Sequence, residues 1–288
     1  MGTSYAIKTD IGTRKMQNQD AYGLRVACNG FHEIVFAVVC DGVGGMSCGE
    51  VASNTVVHTF LQWFDQKVPE LFTQQISLQH IQHAWDCVLQ QVNRQIFQYS
   101  QRMGNKMGTT VAALLMSNGS YYAVNVGDSR IYQLTQEQID QISRDHTLVQ
   151  REVEQGLLTP QQARQDTRRN VLTRCVGGQS TLLPQYAQGR VYPNSGYLLC
   201  SDGFYRSYSQ GELLRRMAPQ QLGTESKADR CLLEMIQQAK DRGESDNITA
   251  IYLRTDDALG ANEDTVDLSD ECLILRRENG YEMRFLLP

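Results

Sequence analysis

The feature that most constrains this chain is a set of short β-branched and aromatic runs, each of which meets an aspartate at one end. Residues 34–40 run into Asp41-Gly42, 121–126 into Gly127-Asp128 and 197–200 into Ser201-Asp202-Gly203, while Asp246-Asn247 leads into 248–253. Runs of this length and composition predict strands. If such strands lie side by side, their carboxylates meet at one edge of a sheet. Like charges about 5 Å apart repel by roughly 3 kcal/mol at an effective dielectric near 20, so a positive charge belongs among them. Oxygen donors without accompanying histidine or cysteine select magnesium or manganese rather than zinc.

The 288 residues, 41% hydrophobic and 20% charged, suffice for one large domain or two small ones. A net charge of -5 and a pI of about 5.6 provide no basic field for a nucleic-acid backbone or an anionic membrane. Eight cysteines without CxxC spacing fit a reducing compartment. No segment reaches the roughly eighteen apolar residues of a membrane span, and the first residues lack a signal-peptide stretch. The expectation is a cytoplasmic protein without nucleic-acid or membrane partners.

Between the strands, Val51, Ala52, Val56, Phe60, Trp63 and Phe64 predict a helix over 47–66 that Pro69 helps to end. Ile81, Trp85, Val88, Val92, Ile96 and Tyr99 mark a second helix with one buried face. Residues 109–116 and the run from Tyr121 form a hairpin around the turn 117–120, and 145–177, with weak periodicity, reads as a surface excursion. A last helix over 227–242 stops at Gly243. Residues 255–270 are rich in acid and contain no Lys or Arg, which makes them a linker. Beyond it, 271–288 predicts a β-hairpin turning at Asn279-Gly280, with Arg277 opposite Glu282, Ile274 opposite Phe285 and Leu273 opposite Leu286. A lone hairpin is marginal in water, so this one is expected to dock on a sheet edge of its own chain.

Each Asp-Gly alone is more often a turn than a ligand. Their order is informative: residues 12–20 (ending Asn18-Gln19-Asp20), Asp41-Gly42-Val43-Gly44-Gly45, Gly108-Thr109-Thr110, Gly127-Asp128-Ser129-Arg130, Asp145-His146-Thr147, Ser201-Asp202-Gly203 and Asp246-Asn247 follow one another along the chain. In this order the chain closely resembles the bacterial type of the metal-dependent serine/threonine protein phosphatases of the 2C family, over residues 1–254. The resemblance implies an α+β fold, a four-layer α-β-β-α sandwich of two antiparallel sheets flanked by helices, with two Mn2+ or Mg2+ ions at one end. It implies that Asp41 bridges both ions, that the Gly42 carbonyl binds one, that Asp202 and Asp246 bind the other, and that Asp20 holds the attacking water. Asp128 is implied, with Asp202, in a third and looser metal site; the alternative for Asp128 is an Asx-turn.

Two departures stand out. Gln19 takes the place of the family's usual glutamate, and Lys15 falls where the family often has arginine, with Arg14 beside it; both cations are candidates to anchor the phosphate, and Arg14, with its bidentate fork, is favoured. Val43 replaces a histidine found in many eukaryotic relatives, and a structural role is favoured for His146. The implied activity is hydrolysis of phosphoserine and phosphothreonine in proteins by a monomer that opposes a cognate serine/threonine kinase. The competing reading is a weak or silent phosphatase-like scaffold that binds a phosphoprotein or kinase, supported by Gln19 and Lys15. Hydrolysis of a small phosphorylated metabolite is a third.

Overall fold

The structure, a computed structural model, describes residues 2–43, 48–73, 77–256, 273–278 and 281–286. Three strands open it: β1 (Thr3–Asp10), β2 (Asp20–Cys28) and β3 (Glu33–Asp41). Two long helices follow, α1 (Gly49–Thr73) and α2 (Leu78–Met103), then β4 (Val111–Ser117), β5 (Ser120–Val126), β6 (Arg130–Leu134) and β7 (Ile139–Gln141). Next come α3 (Leu148–Glu154), α4 (Pro160–Gln165), β8 (Gln185–Arg190), β9 (Gly196–Cys200), α5 (Asp202–Tyr205), α6 (Gln210–Met217), α7 (Glu225–Asp241) and β10 (Ile248–Thr255). The strands β11 (Leu273–Glu278) and β12 (Tyr281–Leu286) lie beyond residue 256.

All pairings are antiparallel and make two sheets, ordered β1-β10-β9-β6-β7 and β11-β12-β2-β3-β4-β5-β8. Strand β3 shows why both faces are apolar. Its Phe36, Val38 and Cys40 pack under α1 and α2, whereas Val35, Ala37 and Val39 alternate with them and face the other sheet. A strand covered on both sides reads as a continuous hydrophobic run. Under the two long helices Phe36, Phe60, Phe64 and Trp85 form an aromatic cluster with ring centroids 5.6 to 6.2 Å apart. On the opposite side Leu213, Met217, Leu232, Met235 and Ile236 cover Tyr132, Leu198 and Tyr252 of the five-stranded sheet. The layers are therefore helix, sheet, sheet, helix, the expected sandwich.

The structure revises several sequence readings. Pro69 does not end the first helix, which continues to Thr73. Proline in a helix interior costs about 3 kcal/mol, but continuation keeps Val68 and Leu71 buried, each worth roughly 1.5–3 kcal/mol. The expected surface excursion contains α3 and α4, the latter closed by a capping box between Thr159 and Gln162. The four aspartate-ended runs do not share one sheet: β3 and β5 belong to the larger, β9 and β10 to the smaller. At the chain's end Arg277 pairs with Glu282, Ile274 with Phe285 and Leu273 with Leu286, and β12 runs antiparallel to β2 from Cys28 to Leu24. The acidic stretch from 257 and the Asn279-Gly280 turn lie outside the described residues.

Candidate metal centre

The site forms where strands of both sheets end together. Asp20 opens β2 and Asp41 closes β3, and the pairing of these strands sets the two residues directly opposite each other. Directly opposed residues carry side chains about 5 Å apart, and like charges there are unfavourable. Asp202 follows β9 and Asp246 precedes β10, strands joined by the Cys200–Ala250 pairing. Asp128 follows β5 and leads into β6. Asp20, Asp128 and Asp202 are buried, while Asp41 and Asp246 are half-buried at the opening.

The backbone of Asp41 is fixed by the Gly108-Thr109-Thr110 motif. Asp41 N donates to Thr110 Oγ1 at 2.9 Å, and Asp41 O accepts from Thr109 Oγ1 and Thr110 N, each at 2.9 Å. Asn247 fixes the neighbouring loop: its Nδ2 donates to Ile11 O and Gln17 O, and its Oδ1 accepts from Gln19 N. That loop closes tightly over Asp246, since Gly12 has φ +78° and a Cβ there would lie 2.0 Å from Asp246 O. At Gly42 a Cβ would lie 2.7 Å from both Gln19 O and Gly49 O, so only glycine leaves the main chain in this place.

Burial and mutual repulsion push the carboxyl groups upward. Burial is the main cause for Asp20, raised to about 7, although Thr249 and Ser201 hydrogen bonds work against it. Asp128 is raised to about 8, again by burial first and then by Asp202, with Arg206 opposing. Asp41 is raised well above the usual range by burial and by the charges of Asp202, Asp20, Asp128 and Asp246.

Two cations of the chain itself sit among these groups. Lys15 Nζ lies 2.7 Å from Asp246 Oδ1, and burial of its ammonium is outweighed by Asp246, Asp41 and Asp202, so its pKa rises. Arg206 reaches back four residues to Asp202 and lies 3.5 Å from Asp128 Oδ2. Arg14, the other candidate anchor, is exposed and makes no ion pair among the described residues. Asp128, expected beside a third metal, thus faces a guanidinium.

The donor set fits a hard divalent ion. Asp20 Oδ1 and Asp202 Oδ1 are buried and accept no hydrogen bond from the described residues, a state that costs about 1–3 kcal/mol per group unless something positive satisfies it. Carboxylates and a glycine carbonyl are the ligands that magnesium and manganese prefer. Among the described residues, however, no three His, Cys, Asp or Glu side chains are already gathered around one point. Lys15 holds Asp246 and Arg206 holds Asp202.

Several contributors were not singled out from sequence. Ser201 donates from Oγ to Asp20 Oδ2 at 2.8 Å and accepts from Thr249 N. Gln19 donates from Nε2 to Glu50 Oε2 at 3.3 Å, so a carboxylate lies beside the position where the family usually has glutamate. A glutamate at 19 would oppose Glu50. Arg206 was legible as an i,i+4 partner of Asp202. His146 accepts from Gly127 N at 3.2 Å and is pushed down to about 4 by burial and then by Arg174 and Arg144. That neutral, tied imidazole has the structural role expected of it. Arg168 pairs with Glu152 and Asp166 on the surface.

The sequence profile of the family described as protein phosphatase 2C matches residues 12–250. A serine/threonine phosphatase of Listeria monocytogenes is 29% identical over 252 residues, covering 86% of this chain and 94% of that protein. The crystal structure of the serine/threonine phosphatase Stp1 from Staphylococcus aureus superposes with a TM-score of 0.74 at 29% identity, covering 90% of this chain and 96% of that one. The catalytic domain of the phosphatase PstP, solved in complex with two manganese ions, gives 0.70 at 26% identity, covering 88% and 99%. This chain belongs to the protein phosphatase 2C family, whose members use manganese or magnesium to hydrolyse phosphoserine and phosphothreonine in proteins.

Proposed function

We propose that Asp41, the Gly42 carbonyl, Asp202 and Asp246 hold two divalent ions, and that Asp20 and Lys15 handle the water and the phosphate. The observation that carries this reading is the meeting of aspartates from both sheets with buried oxygens, Asp20 Oδ1 and Asp202 Oδ1, that have no hydrogen-bond partner among the described residues. Bound there, two ions lower the pKa of a water and offset the phosphate charge. Asp20 is held through Oδ2 by Ser201, so its Oδ1 is available to orient the attacking water and take its proton. Ser201 is committed to Asp20 and Thr249 and is no nucleophile. With Val43 unable to donate a proton and His146 tied into the fold, solvent protonates the leaving serine or threonine oxygen.

Lys15 is the better placed of the two candidate anchors. Once Asp246 is engaged by an ion, the Lys15 ammonium is released toward the phosphate, whereas Arg14 faces solvent. We place the protein as a monomer in a reducing, cytoplasmic compartment, opposing a cognate serine/threonine kinase. In support, the chain's own helices cover both sheets, β12 lies along β2, and all seven described cysteines are free.

Release of phosphate from p-nitrophenyl phosphate and from a phosphothreonine peptide, with and without manganese, tests the assignment. Manganese-dependent release is expected, with KM for the peptide raised about tenfold in Lys15→Ala and little changed in Arg14→Ala. No release with any metal would favour the scaffold, and equal KM values for the two variants would remove Lys15 from the site.

A further inference from the structure

Resting on that two-ion reading, we propose that Arg206 is a permanent cation standing between Asp128 and Asp202, so that the site admits two divalent ions and excludes a third. The geometry is specific. The side chain of Arg206 is 17% exposed, and one nitrogen, Nη2, serves both carboxylates. One of these aspartates follows a strand of the larger sheet and the other a strand of the smaller, so the guanidinium bridges the two sheets at the site.

A divalent ion shared by the same two groups would need their oxygens at about 2.0–2.2 Å, in the volume the guanidinium fills. Asp202 divides its two oxygens accordingly: Oδ2 meets Arg206, and Oδ1, without a hydrogen-bond partner among the described residues, is left for an ion. Arg130, the other nearby guanidinium, cannot stand in, because it is committed to Asp145 at 2.6 to 3.1 Å and lies 3.8 Å over the Tyr205 ring.

The charges are consistent with this. The five aspartates carry five negative charges when ionised, two divalent ions supply four positive ones and Arg206 one more, with Glu50 and Glu244 at the margin of the site. A third divalent ion between Asp128 and Asp202 would have to displace the guanidinium or stand against it.

The test counts bound manganese on the full chain by equilibrium dialysis, with electron paramagnetic resonance of the free ion as a second measure and a circular dichroism melt to establish folding. Two ions are expected on the unaltered chain up to millimolar manganese, and still two on Asp128→Asn. Arg206→Ala should take up a third, and the double variant Arg206→Ala/Asp128→Asn should return to two. Arg206→Lys, which keeps a cation, should remain at two and serves if the alanine variant does not fold. Three ions on the unaltered chain, loss of one on Asp128→Asn, or no gain on a folded Arg206→Ala would each overturn the proposal. No manganese bound to the unaltered chain would instead overturn the two-ion reading beneath it, and this proposal with it.

Discussion

The interior between the two sheets and the end of the same interior at the aspartates are both largely shielded from water, yet opposite in kind. In the middle, Leu24, Val26, Ala37, Leu114, Leu199 and Ile251 form one buried apolar cluster. At the end, Asp20, Asp128 and Asp202 are also buried, but their charges repel and two of their oxygens have no hydrogen-bond partner among the described residues. The first region lowers the free energy of the fold by itself. The second raises it until cations arrive, so stability and activity should separate cleanly between them.

The sharpest break comes from the site. Asp41→Asn should lower manganese-dependent turnover by more than about 100-fold, while the metal-free protein melts at the same or a higher temperature because the charge facing Asp20 is gone. Among the described residues Asp41 has no ion pair to lose, unlike Asp202 and Asp246, which hold Arg206 and Lys15. Retained turnover, measured against intact far-ultraviolet circular dichroism, would remove Asp41 from the centre.

The converse change is in the core. Trp85→Ala should cost roughly 3–5 kcal/mol, measured by urea unfolding, while the fraction still folded keeps its kcat and KM. A selective loss of manganese affinity would show that the two regions are not separable.

Acidity sharpens the comparison further. In metal-free protein the carboxyls of Asp20 and Asp128 titrate near 7 and 8, against about 4 in an unfolded chain. Between those limits the folded state binds more protons, so its stability falls as pH rises from about 4 to 8. Thermal melts in chelator should show a falling midpoint over that range, and saturating manganese should remove the trend. A midpoint that rises with pH in chelator would contradict the repulsion described at the site.

The smallest effect is expected farthest from the site. Removing residues 256–288 uncovers β2 and should lower the melting temperature by a few degrees, with manganese-dependent activity kept below it. An unchanged melt would mean that β12 adds nothing to the sheet.

Much of this was legible because the relevant physics is local. The alternating faces of β3, the buried stripe of α2 apart from Tyr99, which is exposed, and the cross-strand pairs of the terminal hairpin follow from periodicity and turn chemistry. The continuation of α1 through Pro69 was not, since burial of Val68 and Leu71 depends on a sheet elsewhere in the chain. Nor did the runs themselves tell which sheet each aspartate would come from. Arg206 was readable as an i,i+4 partner of Asp202 but not as a neighbour of Asp128, nor Glu50 as a neighbour of Gln19, because the fold brings those pairs together.

The pairing of β1 with β10 sets an order of events during synthesis. Thr3 pairs with Thr255 and Asp10 with Ile248, so the first strand made has to wait for the last strand of the domain. At 5–20 residues per second the wait is roughly 10–50 s. The same late strand follows Asp246, so a nascent chain can pair β2 to β5 and cover them with α1 and α2 well before that aspartate is made. If Asp246 holds an ion as proposed, the chain on the ribosome has no complete site until β10 has emerged.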